Sequence, residues 1–351
     1  MTDAKRIQAE CGPLADAAVP AQAMPESGSC GLDLWQSPTA LRWLGDYLHA
    51  QPALIQVRDG ARQASLCCLL RRLPLGKALA SAYPYAAIVG DAGLFWENGT
   101  AVAAALRAQG VVRLEMPFSG EYAHQADAIG GRFQRRARLD AIRHVLDLAP
   151  AGRDPAWLAG QLAPNTRWAV RKAERMGGRI RPAVPADLDA LQAIYAAAMR
   201  FKGAPVNYGP ERFRGMLEQL SAAHAARIYL GEIAGRPAGL AAVLDAGMSR
   251  HLLQLAVLPE AQSSRLSDLL VNTAILDCIA HGQRYFDFMA SSPQDTGLVA
   301  FKAKWAGRAE PIRYAALTSD PLFDLAIDLG RWWNIRRARS AVRAAPEEEG
   351  A

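Results

Sequence analysis

The stretch from Tyr285 to Gly307 constrains this chain more than any other. Phe286 and Phe288 flank Asp287 at a spacing of two, so a strand here turns one carboxylate to the face opposite two rings. Pro293 breaks the pattern, and Asp295 or Thr296 stands where a cap belongs, ahead of a short helix carrying Phe301 and Lys302. An ammonium on a helix packed between apolar neighbours costs free energy unless it reaches an anion or a cleft. Lys302 is therefore the first candidate for chemistry.

At 351 residues the chain is long for one core and suits two domains. Its 51% apolar and 21% charged residues are those of an ordinary globular protein, which excludes a disordered chain. The formal charge of +6 favours anionic partners such as phosphorylated ligands, tRNA or an acidic membrane surface, without making a nucleic-acid binder. Five cysteines are an odd number; Cys11 and Cys30 lie near the N-terminus, and Cys67 and Cys68 face opposite sides of a strand, the pattern of reduced, packed thiols. The six histidines show no pair at ligand spacing, so neither a structural zinc nor a zinc-protease helix is expected. Neither a signal-peptide run nor a transmembrane span is legible, and the expected place is the cytoplasm.

Residues 1–30 are rich in Ala, Pro, Gly and Ser and read as a loose tail. A helix is expected over Pro38 to His49, then strands over Ala53 to Arg58 and Gln63 to Leu70 around the Asp59-Gly60 turn. A helix near Asn98 to Gln109 and strands at Val111 to Met116 and Ala141 to Leu148 complete the first half. In the second half, a helix from Thr166 to Met176 stops at Gly177-Gly178, and a strand follows from Arg179 to Val184. Helices are expected over Ala186 to Arg200 and Glu211 to Ala223. Next come strands over Arg227 to Ile233, Pro237 to Leu244 and His251 to Val257, then a helix from Ser264 to Ala280. The Tyr285–Gly307 strand and helix and a last strand, Pro311 to Leu317, close the succession. The reading is a tail (1–30), a first domain (31–150), a second domain (151–320), and a terminal helix and tail (321–351).

This succession is that of the Gcn5-related N-acetyltransferase (GNAT) fold. Three motifs together resemble the FemAB-like group: Arg167 to Arg175 before the Gly-Gly stop, the Phe286-Asp287-Phe288 strand, and Gly297 to Gly307. That group includes peptidoglycan interpeptide-bridge aminoacyltransferases and related N-acyltransferases. The resemblance implies an α/β protein of two tandem GNAT domains, the first a degenerate copy, with mixed sheets flanked by helices and the acceptor site between them. It implies a donor site at Phe301 and Lys302, with Lys302 stabilising the tetrahedral oxyanion. Physically, an amine attacking an ester or thioester makes such an oxyanion, and a cation aimed at it in a dry cleft is worth about 3 kcal/mol. No Ser-His-Asp or Cys-His arrangement offers a covalent route.

Other candidates stand beside simpler readings. Asp287 either takes a proton from the attacking amine or pairs with backbone and arginines at a strand end. Arg167, Arg171 and Arg175 lie four apart with Lys172 beside them, a ridge for a phosphate-bearing partner or a solvated face. Tyr83 and Tyr85 either line the acceptor pocket or pack in the core. The pyrophosphate loop of coenzyme A enzymes is altered, with Arg265 and Ser267 where glycines stand, which argues against ordinary acetyl-CoA use but leaves Arg265 able to meet a phosphate. No tightly bound cofactor is expected; the acyl donor is either aminoacyl-tRNA or an acyl-CoA or acyl carrier protein. The acceptor is an amine of a cell-envelope, polysaccharide or secondary-metabolite precursor. Arg331, Trp332, Trp333, Arg336, Arg337 and Arg339 suit a membrane surface, RNA, or a helix docked on the first domain.

Overall fold

A computed structural model describes residues 7–14, 38–126, 134–136, 141–206, 208–220, 226–246 and 248–329. The first half contributes β1 (Gln8–Pro13), α1 (Pro38–Leu48), β2 (Gln51–Asp59), β3 (Arg62–Arg72), β4 (Ala78–Ser81), β5 (Val89–Gly90), α2 (Ala92–Glu97), α3 (Gly99–Ala108), β6 (Val111–Phe118), β7 (Gln134–Arg136) and β8 (Ala141–Asp147). The second contributes α4 (Ala156–Gln161), α5 (Pro164–Arg175), β9 (Gly178–Pro182), α6 (Leu188–Phe201), α7 (Pro210–Gly215), β10 (Ala226–Ile233), β11 (Arg236–Ala246), β12 (Ser249–Val257), α8 (Leu266–Ala280), β13 (Tyr285–Ser291), α9 (Thr296–Ala303) and β14 (Arg308–Thr318). A last helix, α10, spans 321–329.

The strands form one sheet in the order β1-β2-β3-β4-β6-β14-β8-β13-β12-β11-β10-β9, with β5 beside β3 and β7 beside β14. Read from either end, this order is the same plan twice. An edge strand and an antiparallel meander lead to a parallel pair, β4 with β6 in one half and β12 with β13 in the other. Helices supply the crossovers, α2 and α3 in the first half and α8 in the second, as a parallel connection requires. The architecture is a tandem GNAT fold. The two halves exchange strands at the centre: β14 pairs with β6 of the first half, and β8 pairs with β13 of the second. A chain boundary at 150 therefore leaves β8 with the first half in sequence and beside β13 in space.

Residues 8–13 correct the expectation of a loose N-terminal tail. They pair antiparallel with β2 from Gln8↔Arg58 to Pro13↔Ala53, as β9 pairs with β10. Only Cys11 among them is buried, so the segment carries no alternation to betray a strand, and Pro13 is tolerated at the sheet edge. The expected Glu211 to Ala223 helix divides into α7 and a π-turn over Met216–Leu220. Gly177 ends α5 as read, at φ +79, a left-handed stop that β-carbon-bearing residues resist.

Strand alternation splits the packing. Leu240, Ala242 and Leu244 join the core shared with α6, α7 and the first half, whereas Ala241 and Val243 face the core under α5 and α8. Cys11, Cys67, Cys68 and Cys278 are free and buried. Burial pushes the Cys11 thiol up to about 11 and Cys67 and Cys278 to about 12, so all three are inert thiols. α10 docks on the first half: Lys77 meets Asp320 at 2.8 Å, and Arg113 pairs with Asp324 and Asp328. The tryptophan and arginine run that begins at Arg331, like Cys30, lies outside the described residues.

Candidate active site

β12 and β13 run parallel for only three registered pairs, Ser249↔Tyr285, Arg250↔Phe286 and His251↔Asp287, and then part. Beyond that point β13 follows β8 through a bulge between Asp287 and Ala290, with Met289 at φ +61. The extra residue bends β13 away from β12, which opens a fork, and turns backbone groups out of the ladder.

Asp295 caps α9 by accepting from the Leu298 N–H at 3.0 Å, which aims the helix back across β13. Lys302 is the buried residue of that helix, 6% exposed, and its Nζ donates to the carbonyls of Met289 at 2.9 Å and Ala290 at 3.2 Å. An ammonium has three donors, so one remains beyond these two carbonyls. Ala290 itself is exposed. Burial lowers the Lys302 ammonium to about 8, against the opposing pull of Asp287 and Asp295.

The sequence motif placed Phe286 and Phe288 against Asp287, and the fold does the same. The rings meet edge to face at 4.9 Å under α8, while Asp287 looks into the fork. It is 1% exposed, accepts from Arg143 Nη1 at 3.1 Å and from the Met289 N–H at 2.7 Å, and lies 3.4 Å from His251 Nδ1. Burial pushes its carboxyl up, but the His251 hydrogen bond, the charges of Arg143 and His251, and the Met289 N–H outweigh it and hold it below the usual range. A closed-in, ionised carboxylate with these partners is a poor proton acceptor for a substrate amine. Asp287 thus bonds to the Met289 N–H within the bulge whose carbonyls Lys302 meets.

Arg143 also clasps Glu310 at 2.7 and 2.9 Å, so two cations, Arg143 and Lys302, face two carboxylates, Asp287 and Glu310. A buried pair of this kind is tolerable only when all members are bonded. The Arg143 guanidinium crosses above Gly120, where a β-carbon would come within 2.3 Å of Nη2. Tyr85 is fully buried over Arg143, with its ring centroid 5.6 Å from the guanidinium carbon, and 6.3 Å from the His251 ring. Burial, followed by the Asp287 charge, raises its phenol well above the ordinary value, so it stays protonated. His144, buried with Nδ1 unpartnered among the described residues, is kept neutral first by burial and then by the charge of Lys302.

Two cavities are lined by residues close in sequence to those of the fork. Lys304, two residues past Lys302, lines one of about 700 Å³ together with Asn165, Thr166, Trp168 and Arg265. Tyr83, two residues ahead of Tyr85, lines another of about 300 Å³ with Arg71, Ser81, Glu115 and Tyr208. Arg265 stands at φ +65 just ahead of α8, in the left-handed conformation a glycine would take there. Asp268 in the first turn of α8 is buried and paired with Lys304, whose ammonium lies 4.3 Å over the Phe301 ring.

The fork thus brings together Lys302 and Asp287, while the Phe301 ring lies under Lys304, which lines a cavity with Arg265. The tyrosines separate, Tyr83 to a cavity wall and Tyr85 to the core. The arginine ridge divides as well: Arg167 donates through Nη1 to the carbonyls of Ala159 and Leu162 at the end of α4. Lys172 covers Trp168 at 5.3 Å, and Arg171 is exposed. Sequence reading missed Arg143, His251 and Glu310, because each joins the site through pairing between strands far apart in the chain. Among the described residues no cluster of histidine, cysteine or carboxylate could hold a metal, and no helix is long and apolar enough to cross a membrane.

Residues 162–297 match the family described as acetyltransferase (GNAT) domain, a match that runs from the approach to α5 into the start of α9. Residues 162–297 thus carry a GNAT acetyltransferase domain, and the chain is an acyltransferase enzyme. No curated protein matches the chain. Among solved structures, FemX superposes with a TM-score of 0.65 at 13% identity, covering 84% of this chain and 94% of its own. A tandem GNAT protein from the clavulanic acid biosynthesis pathway gives 0.54 at 14% identity over 89% of this chain and 99% of its own. L-PGS from Bacillus licheniformis gives 0.53 at 10% identity over 83% and 90%. At such identities the likeness is one of fold, and it agrees with the FemAB-like resemblance of the motifs.

Proposed function

We propose that the protein is an N-acyltransferase of FemAB-like type that moves an aminoacyl or acyl group onto an amine of a cell-envelope, polysaccharide or secondary-metabolite precursor. The reading is carried by one observation: a buried lysine cation seated on the carbonyls of a β-bulge, at the point where two parallel strands part. The amine nitrogen attacks the donor carbonyl, its electrons move to the oxygen, and the remaining Lys302 N–H meets the oxyanion. Collapse forms the amide, expels the donor's hydroxyl or thiol, and releases the amine proton.

The donor lies on the Arg265 and Lys304 side, where two cations and the Trp168 ring suit a phosphate-bearing, nucleotide-ended carrier. Aminoacyl-tRNA and acyl-coenzyme A both fit that description. Arg265 at the glycine position, and a carboxylate, Asp268, already in the first turn of α8, support the former. The acceptor lies on the Tyr83 and Tyr208 side. Aminoacyl-tRNA and acetyl-coenzyme A offered in parallel to a panel of precursor amines, under single-turnover conditions, test the reading. Transfer from one donor that Lys302→Met slows about a hundredfold is expected. Wild-type turnover in that variant removes the mechanism, and no transfer with either donor favours a non-catalytic binding module.

A further inference from the structure

β3, β4 and β6 lie side by side, and their registers set two rows across one face. Leu69 stands opposite Ser81 and Ser81 opposite Glu115; two residues along, Arg71 stands opposite Leu79 and Leu79 opposite Arg113. Residues matched in this way share a face, so Arg71 and Glu115 rise on the same side from the strands that flank β4. Two strand spacings, about 10 Å, separate their backbones. Both side chains line the cavity of about 300 Å³ that Tyr83 and Tyr208 also line.

Glu115 holds in this half the place that Asp287 holds in the other, the last registered pair of the parallel strands. Asp287 is closed in, whereas the Glu115 side chain is 26% exposed. Arg113 donates to it at 3.2 Å but is shared with Asp324 and Asp328, so it answers Glu115 only in part. Leu69 and Leu79, both buried, give the cavity an apolar lining. The second half holds Tyr208 in place: its ring stacks on Tyr195 at 5.5 Å, and its carbonyl accepts from Gln192 at 3.0 Å.

A carboxylate and a guanidinium on one small cavity select a ligand that brings both opposite charges. A phosphate would be repelled by Glu115, a lone amine leaves Arg71 unanswered, and a neutral sugar uses neither. We propose that this cavity holds the acceptor by a zwitterionic amino-acid end, its carboxylate on Arg71 and its ammonium on Glu115. The proposal rests on the reading of the Tyr83 and Tyr208 side as the acceptor side. A nitrogen held as an ammonium has no lone pair, so the amine that is acylated is a second one on the same molecule.

The test is calorimetric titration of the full chain with ornithine and lysine, each against its Nα-acetyl and α-carboxamide derivatives. At least one free diamino acid should saturate the protein, and blocking either end should weaken binding about tenfold or more. Glu115→Gln should weaken the free amino acid by a similar factor and no longer distinguish it from the Nα-acetyl form; Arg71→Gln should do the same for the carboxamide. Lys302→Met should bind like the wild type, because no acyl donor is present, so loss of transfer with binding intact fails the acyltransferase reading alone. The proposal is overturned if neither free amino acid binds at millimolar concentration, if the blocked forms bind as well as the free ones, or if each variant weakens all ligands equally.

Discussion

Lys302 carries its charge where water is scarce, and that has a consequence for stability as well as for catalysis. Its ammonium is lowered from 10.5 to about 8 in the fold, so between those values the unfolded chain holds a proton that the folded one has lost. Stability therefore rises with pH across that window, and the full penalty, about 3 kcal/mol, applies below it. Chemical denaturation at both ends of the window should show the slope in the wild type and its loss in Lys302→Met. Asp287→Asn removes one acceptor from Arg143 and should cost about 3 kcal/mol on thermal unfolding, with acyl transfer lost as the bulge relaxes. Lys302 was legible because its motif is local; Asp287 was legible both as a residue and in its pairing with backbone and an arginine, but which arginine was not, since Arg143 arrives from 144 positions away.

At the scale of elements, the fork depends on a strand bulge, a capped helix and a glycine that lets an arginine pass. Gly120 sits at φ +59 beneath the Arg143 guanidinium. Gly120→Ala should destabilise by about 2 kcal/mol through the left-handed backbone alone, and more as Arg143 is displaced. Thermal unfolding with an acyl-transfer assay separates this variant from a mere loop change, because both readouts should fall together. Periodicity announced α5, α6, α8 and the β10 to β12 meander well, as each presents a long apolar face. It could not announce β1, whose six residues bury one side chain, nor the β13 bulge, which depends on how β8 pairs with it.

For the whole molecule, the exchange of β8 and β14 across the centre makes the two halves one sheet. β14 gives Arg308–Ile312 to β8 and Arg313–Thr318 to β6. A fragment beginning at residue 151 lacks β8 and exposes the edges of β13 and β14, so it should not fold cooperatively, whereas the full chain should unfold in one transition by calorimetry. The repeat order of the second half was readable from its elements. The strand exchange was not, because nothing in either strand's composition names its partner.

The most direct test of the account is the pH dependence of single-turnover acyl transfer in the wild type and in Lys302→Met. The account predicts a wild-type rate that falls as pH rises through about 8, as Lys302 loses its proton, and a variant slowed about a hundredfold that lacks this fall. A variant with the wild-type rate and the same profile would contradict it.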